Sequence, residues 1–170
     1  MLNILDFSVE IQKNWCSTFY LLKLFYEYPK QSLKDEIKSR KNKNQNFNMK
    51  ELTHLLYDII NAGVHLQENN IKHQDICPSL IYLSKTENYK LLRNEKNRNN
   101  PERYQLKKML RNQNYYLSPK LYIALKKRYL DNIKHNYIKS DMFSFGLVLL
   151  EAGLLKSIKN IYDSSSINKN

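Results

Sequence analysis

The sequence predicts an α+β fold, and three features carry that prediction. The run Phe19-Tyr20-Leu21-Leu22-Lys23-Leu24-Phe25-Tyr26-Glu27-Tyr28 is dense in aromatic and apolar residues and stops at Pro29, the pattern of a strand. Leu52, Leu55, Leu56, Ile59, Ile60 and Gly63 recur at helical spacing and form one apolar stripe. A second apolar segment follows Ser140-Asp141 and predicts a buried helix. With 170 residues the chain has the length of one domain and can bury a core.

The elements follow in order. Residues 3–28 read as extended structure. Ser32-Leu33-Lys34-Asp35-Glu36-Ile37 opens a short helix, because Ser32 can accept from a free backbone N–H and two acids complement the first turn. Residues 38–48, rich in Asn and Lys, read as a solvated loop. The striped helix occupies residues 50–69. Residues 71–92 read as loop, strand, turn and strand, with the strands at 80–83 and 89–92. Residues 93–114 are charged and irregular. Leu117-Ser118-Pro119 is a turn or helix start, and 121–130 is a helix. Ser140-Asp141 is expected to cap the last helix, which runs to about residue 155. Its Met142, Phe143, Phe145, Leu147, Val148, Leu149 and Leu150 cover nearly every face, which predicts burial all round. Residues 164–170 form a polar tail.

A net charge of +12 raises nucleic acid or an anionic membrane as partners. The charge is spread, however, through a chain rich in Lys, Asn, Ile and Tyr together, so neither partner is expected. Cys16 and Cys77 lie far apart with no metal-ligand spacing, which points to a reducing, intracellular compartment, the cytoplasm first and the nucleus compatible. No basic region precedes an apolar run at the N-terminus, and the longest apolar stretch, 142–150, is too short to span a bilayer. His54, His65 and His135 share no metal spacing and are expected in core or surface roles. Cys77, near Lys72, is expected to be a buried, inert thiol rather than a reactive one.

Ile71-Lys72-His73-Gln74-Asp75-Ile76-Cys77-Pro78 resembles the catalytic loop of eukaryotic protein kinases. That loop reads His-Arg-Asp, two residues, Pro, and an Asn five after the Asp. His73, Asp75 and Pro78 match; Gln74 and Leu80 replace the Arg and the Asn. Partial matches flank it in the family's order. Leu2-Asn3-Ile4-Leu5 resembles the segment after helix C, and Glu27-Tyr28-Pro29 resembles the hinge. Leu117-Ser118-Pro119-Lys120 resembles the end of the activation segment, with Pro119 in register. Lys139-Ser140-Asp141-Met142-Phe143-Ser144-Phe145-Gly146 resembles the start of helix F, with Asp141 and Gly146 in register. The resemblance implies a partial protein kinase-like fold: a remnant of the small-lobe β-sheet and a mainly α-helical large lobe ending after helix F. The expected domain is 1–163, with small-lobe strands and hinge at 1–29, large lobe at 30–163, and the tail at 164–170.

The same resemblance implies lost chemistry. Phosphoryl transfer in this family is positioning plus charge neutralisation, and needs several parts at once. The only glycines are Gly63, Gly146 and Gly153, and none sits in a phosphate-covering loop. Leu80 and Arg93 stand where the family holds its metal ligands, so no metal site is expected; Mg²⁺ requires oxygen ligands. Cys77 stands where a Lys steadies the transferred phosphate. Lys120 replaces an ion-pairing Glu. Asp75, the family's proton acceptor, is retained. Glu27, Tyr28 and Tyr82 fall at nucleotide-binding positions, while His73 and Asp141 are family scaffold. The expected function is therefore a catalytically inactive, pseudokinase-like module that binds or regulates another protein, with no cofactor. The alternative is an active Ser/Thr-type kinase using ATP and Mg²⁺, with its missing parts supplied elsewhere. A third possibility is a degenerate gene product whose open sheet edge and uncovered helix face make it prone to aggregate.

Overall fold

The computed structural model describes residues 4–27, 29–92, 116–129 and 133–158. The expectations for Tyr28, for Arg93 and the charged stretch 93–114, and for the tail 164–170 lie outside the described residues. Strands β1 (Ile4–Asn14) and β2 (Ser17–Tyr26) pair antiparallel through a turn at Trp15-Cys16, with one irregularity near Leu5. They agree with the extended reading of 3–28. A second antiparallel sheet has the order β3-β4-β5, formed by β3 (Gln31–Ser32), β4 (Ile81–Leu83) and β5 (Tyr89–Leu91).

Helix α1 spans Leu33–Asn42, and Ser32 Oγ accepts from Asp35 N at 3.2 Å. The cap is the one expected, but the helix takes in residues 38–42, which the sequence reading placed in a loop. The reason is charge pairing. Arg40 reaches back one turn to Glu36 and across to Glu51 of α2 (Met49–Glu68), at 2.9 and 2.7 Å. Asn48 and Glu51 close a reciprocal capping box at the start of α2.

On α2 the buried line is Leu55, Ile59, Ala62 and Leu66, while Leu56 and Ile60 face water. The predicted stripe is thus narrowed: Leu55 and Ile59 are buried and Leu52 packs partly against the core, while Leu56 and Ile60 lie off the side that faces β5 and the last helix. Helix α3 (Pro119–Lys126) ends before the predicted residue 130, where Arg128 turns left-handed and Tyr129 N returns to Ala124 O. Helix α4 (Tyr137–Leu154) starts one turn before Ser140. Its cap is Asn136, whose Oδ1 accepts from Lys139 N at 3.0 Å. Ser140 and Asp141 lie inside the helix and are engaged elsewhere, which corrects their expected capping role.

Nor is α4 buried all round. Ser140, Ser144, Phe145, Leu147, Val148 and Ala152 face the interior, whereas Ile138, Met142, Phe143, Leu150 and Leu154 are exposed. The main core joins Leu33, Leu55, Ile59, Ile81, Leu91 and Val148, contributed by α1, α2, α4 and the second sheet. Leu117, Tyr122, Leu125 and Ile133 make a smaller cluster around α3. The architecture is α+β.

Candidate functional site

The chain leaves α2 through a left-handed Asn70, and Ile71 N returns to Leu66 O at 2.8 Å. This C-terminal closure satisfies two carbonyls that the helix leaves open and turns residues 71–77 across the start of α4. There Asp141 holds the loop. Its Oδ2 accepts from His73 N at 3.2 Å and its Oδ1 from Gln74 N at 3.0 Å. Gln74 sits at a φ of 62°, a conformation that costs a non-glycine residue about 1–2 kcal/mol. One carboxylate therefore fixes two consecutive N–H groups at a strained position.

The Asp141 carboxyl is pushed up to about 6, chiefly by burial. The two N–H donors and the nearby His135 oppose the shift, and the neighbouring Asp75 adds to it. His73 is buried, and both ring nitrogens are engaged. Nδ1 lies 3.3 Å from Asp75 N, an obligatory donor, so Nδ1 accepts. Nε2 then carries the proton and donates to Leu92 O at 3.1 Å. The ring thus ties the loop to the end of β5, and Leu92 N closes the other side by donating to Leu80 O at 2.8 Å.

Asp75 is 3% exposed and lies within this frame. Cys77 is buried too, with Sγ 3.2 Å from Ser79 Oγ. Leu80 ends a 3₁₀ turn at Pro78–Leu80 and packs its partly buried side chain against the main core. Ile81 and Leu83 of β4 face that core, so the alternate residue, Tyr82, points to the other side of the sheet, paired with Lys90. Glu27 meets the neighbouring strand β5, where Lys90 Nζ contacts its Oε1 at 2.5 Å. Glu27 and Tyr82 are thus brought near each other through Lys90, a residue the sequence reading did not single out.

Pro119 occupies the first turn of α3. The segment before it lies against α4. Ser118 and Ser140 share a hydrogen bond at 3.1 Å, and Ser144 Oγ donates to Tyr116 O at 2.7 Å. The Tyr116 hydroxyl donates to Glu151. The small serines, one turn apart on α4, let the backbone approach and give it partners. Gly146 plays no such part: a Cβ there would meet nothing within 4 Å among the described residues, whereas one at Gly63 would lie 3.3 Å from Met142 Cε.

Sequence reasoning also missed a polar cluster. The Tyr89 hydroxyl donates to buried Glu36 at 3.0 Å, Glu36 pairs with Arg40, and Arg40 pairs with Glu51 while lying 4.0 Å over the Phe47 ring. Asp58 Oδ2 accepts from Tyr89 N at 2.7 Å. The Glu36–Arg40 spacing and the Asn48–Glu51 capping pair were the available signals. Among the described residues no group of His, Cys, Asp and Glu is arranged to hold a metal ion, and no helix is long and apolar enough to cross a membrane. No protein-family model matches the chain, and no curated protein matches it.

Proposed function

We propose that this chain is a protein kinase-like domain without phosphotransferase activity, acting as a binding or regulatory module for another protein. The observation that carries the proposal is the Asp141 clamp on His73 and Gln74. In the family resemblance, the Asp that opens helix F accepts hydrogen bonds from the backbone of the catalytic loop. Here an Asp and a loop matched independently by motif meet in that way across 68 and 67 residues of chain. Composition alone gives no reason for that meeting.

Inactivity rests on side-chain chemistry. Leu80 has no donor atom to offer a magnesium ion, and it is committed to packing. Asp75, within the loop, is buried. The residues present do not fit a metal–nucleotide complex, and no reaction step is assigned to them. What they do is hold a shape: His73, Asp75 and Asp141 stabilise a loop that displays Lys72 and the half-buried Gln74 at the surface. Incubation with γ-labelled ATP, Mg²⁺ and a generic protein substrate tests the proposal. Incorporation should stay at background in both the wild type and Asp75→Asn. Magnesium-dependent transfer that disappears in Asp75→Asn would overturn it.

A further inference from the structure

The β1–β2 hairpin carries a face with nothing extensive against it. Cross-strand pairing puts Phe7 with Leu24, Val9 with Leu22, and Ile11 with Tyr20 on one side of the ribbon. Apart from half-buried Leu24 these side chains are exposed, Phe7 at 65% and Tyr20 at 72%. The opposite side mixes Phe19, Leu21 and Phe25 with Asp6, Ser8, Gln12 and the Glu10–Lys23 ion pair. The two strands pair with each other, and neither packs extensively on another described element. An isolated two-stranded ribbon is marginal in water, and gains independent stability only when its apolar face is covered.

We infer that this face is closed by the same face of a second copy of the chain, forming a four-stranded sandwich. Two quantities favour that occupant. Phe and Tyr bury on the order of 150–250 Å² each and the aliphatic residues less, so the exposures here leave at most roughly 600 Å² of surface in water. A stable interface takes roughly 600–1,000 Å² from each partner, so this face reaches the lower end of that range when all of it is covered, and it stands at the top of the about 300–600 Å² that the largest apolar patch on an ordinary monomer exposes. The second quantity is charge. The chain carries +12, so two copies repel over most of their surface. Within residues 4–26, however, Asp6 and Glu10 balance Lys13 and Lys23, so the hairpin is neutral and meets its copy without like-charge cost. A twofold arrangement uses the same patch on both sides and closes at two copies.

Sedimentation equilibrium and thermal melting of the full chain over a dilution series test this. The expected result is twice the chain mass, falling to the monomer on dilution, with a melting point that rises with concentration. The doubly substituted chains Val9→Lys with Leu22→Lys, and Val9→Glu with Leu22→Glu, should each be monomeric. An equimolar mixture of the two should recover the dimer. Gln12→Lys, on the opposite side of the ribbon, should leave the dimer intact. A wild type that stays monomeric and melts independently of concentration overturns the inference, and points to another occupant of the face. Open-ended assembly, or a dimer that survives both double substitutions, also overturns it. If the substituted chains fail to fold, a monomeric wild type still overturns the inference.

Discussion

Replacing Asp141 by Asn should change how stability depends on pH. The wild-type carboxyl sits at about 6 against its usual 3.8, because burial outweighs the two N–H donors. At about 1.4 kcal/mol per pH unit, the full displacement would make the ionised form cost about 3 kcal/mol. The group is half-buried, and water screens part of that, leaving about 1–2 kcal/mol. The folded chain holds this proton more tightly than the unfolded chain. The stabilising contribution is therefore fully present below about pH 4 and is lost as pH rises through about 6. Asparagine has no such term. It also turns an amide donor toward one of the two N–H groups, leaving a donor unsatisfied at about 1–3 kcal/mol at every pH. Urea unfolding at pH 7.5 and pH 5 should thus show the wild type gaining stability relative to Asp141→Asn as the pH falls. Repeating the pair in a His135→Gln background removes the neighbouring imidazole, whose own protonation acts on Asp141. A wild type that loses stability relative to Asp141→Asn on acidification would refute the reasoning, since it would mean that the N–H donors outweigh burial.

Other outcomes follow from the same contacts. Gly146→Ala should stabilise the chain by about 0.5–1 kcal/mol, because the helix gains propensity and the new Cβ meets nothing among the described residues; a loss in chemical denaturation would show an unseen neighbour. Glu36→Ala should cost about 3 kcal/mol or more, since it strips the buried partner from Arg40 and from the Tyr89 hydroxyl. A cost below about 1 kcal/mol in the same assay would mean that Glu51 alone satisfies Arg40. Ser144→Ala should cost about 1 kcal/mol by leaving Tyr116 O without its donor. Hydrogen exchange in the 116–118 segment should then speed up, and unchanged protection would rule out that tether.

How much of this was legible depends on the range of the interactions. The extended character of 4–26, the Ser32 cap and the strands β4 and β5 are set by neighbours a few residues apart, so apolar density and capping chemistry exposed them, whereas the turn at Trp15-Cys16 that makes a hairpin of the first stretch carries no such signal. The extension of α1 to Asn42 was hidden because it depends on Arg40 finding Glu51 eleven residues away. The narrowed stripe on α2 was hidden for a related reason: periodicity says that a face exists, but β5 and α4 choose which line of it is covered. At α4 the Ser-Asp pair has capping chemistry, yet Asn136 takes that place and frees Ser140 for Ser118 and Asp141 for the loop. Motif reading did single out both His73 and Asp141. It could not supply the tautomer of His73, the burial of Asp75, or the role of Lys90 in drawing Glu27 toward Tyr82.

The most direct test of an inactive kinase-like module is thermal melting with ATP, at zero and at millimolar Mg²⁺. A ligand present at a hundred times its Kd adds about 2.7 kcal/mol, which moves the midpoint of a domain this size by several degrees. The account predicts one cooperative transition at an unchanged temperature in every condition. A rise that requires both ATP and Mg²⁺ would contradict it, because Leu80 and the buried Asp75 would then stand beside a working metal–nucleotide site.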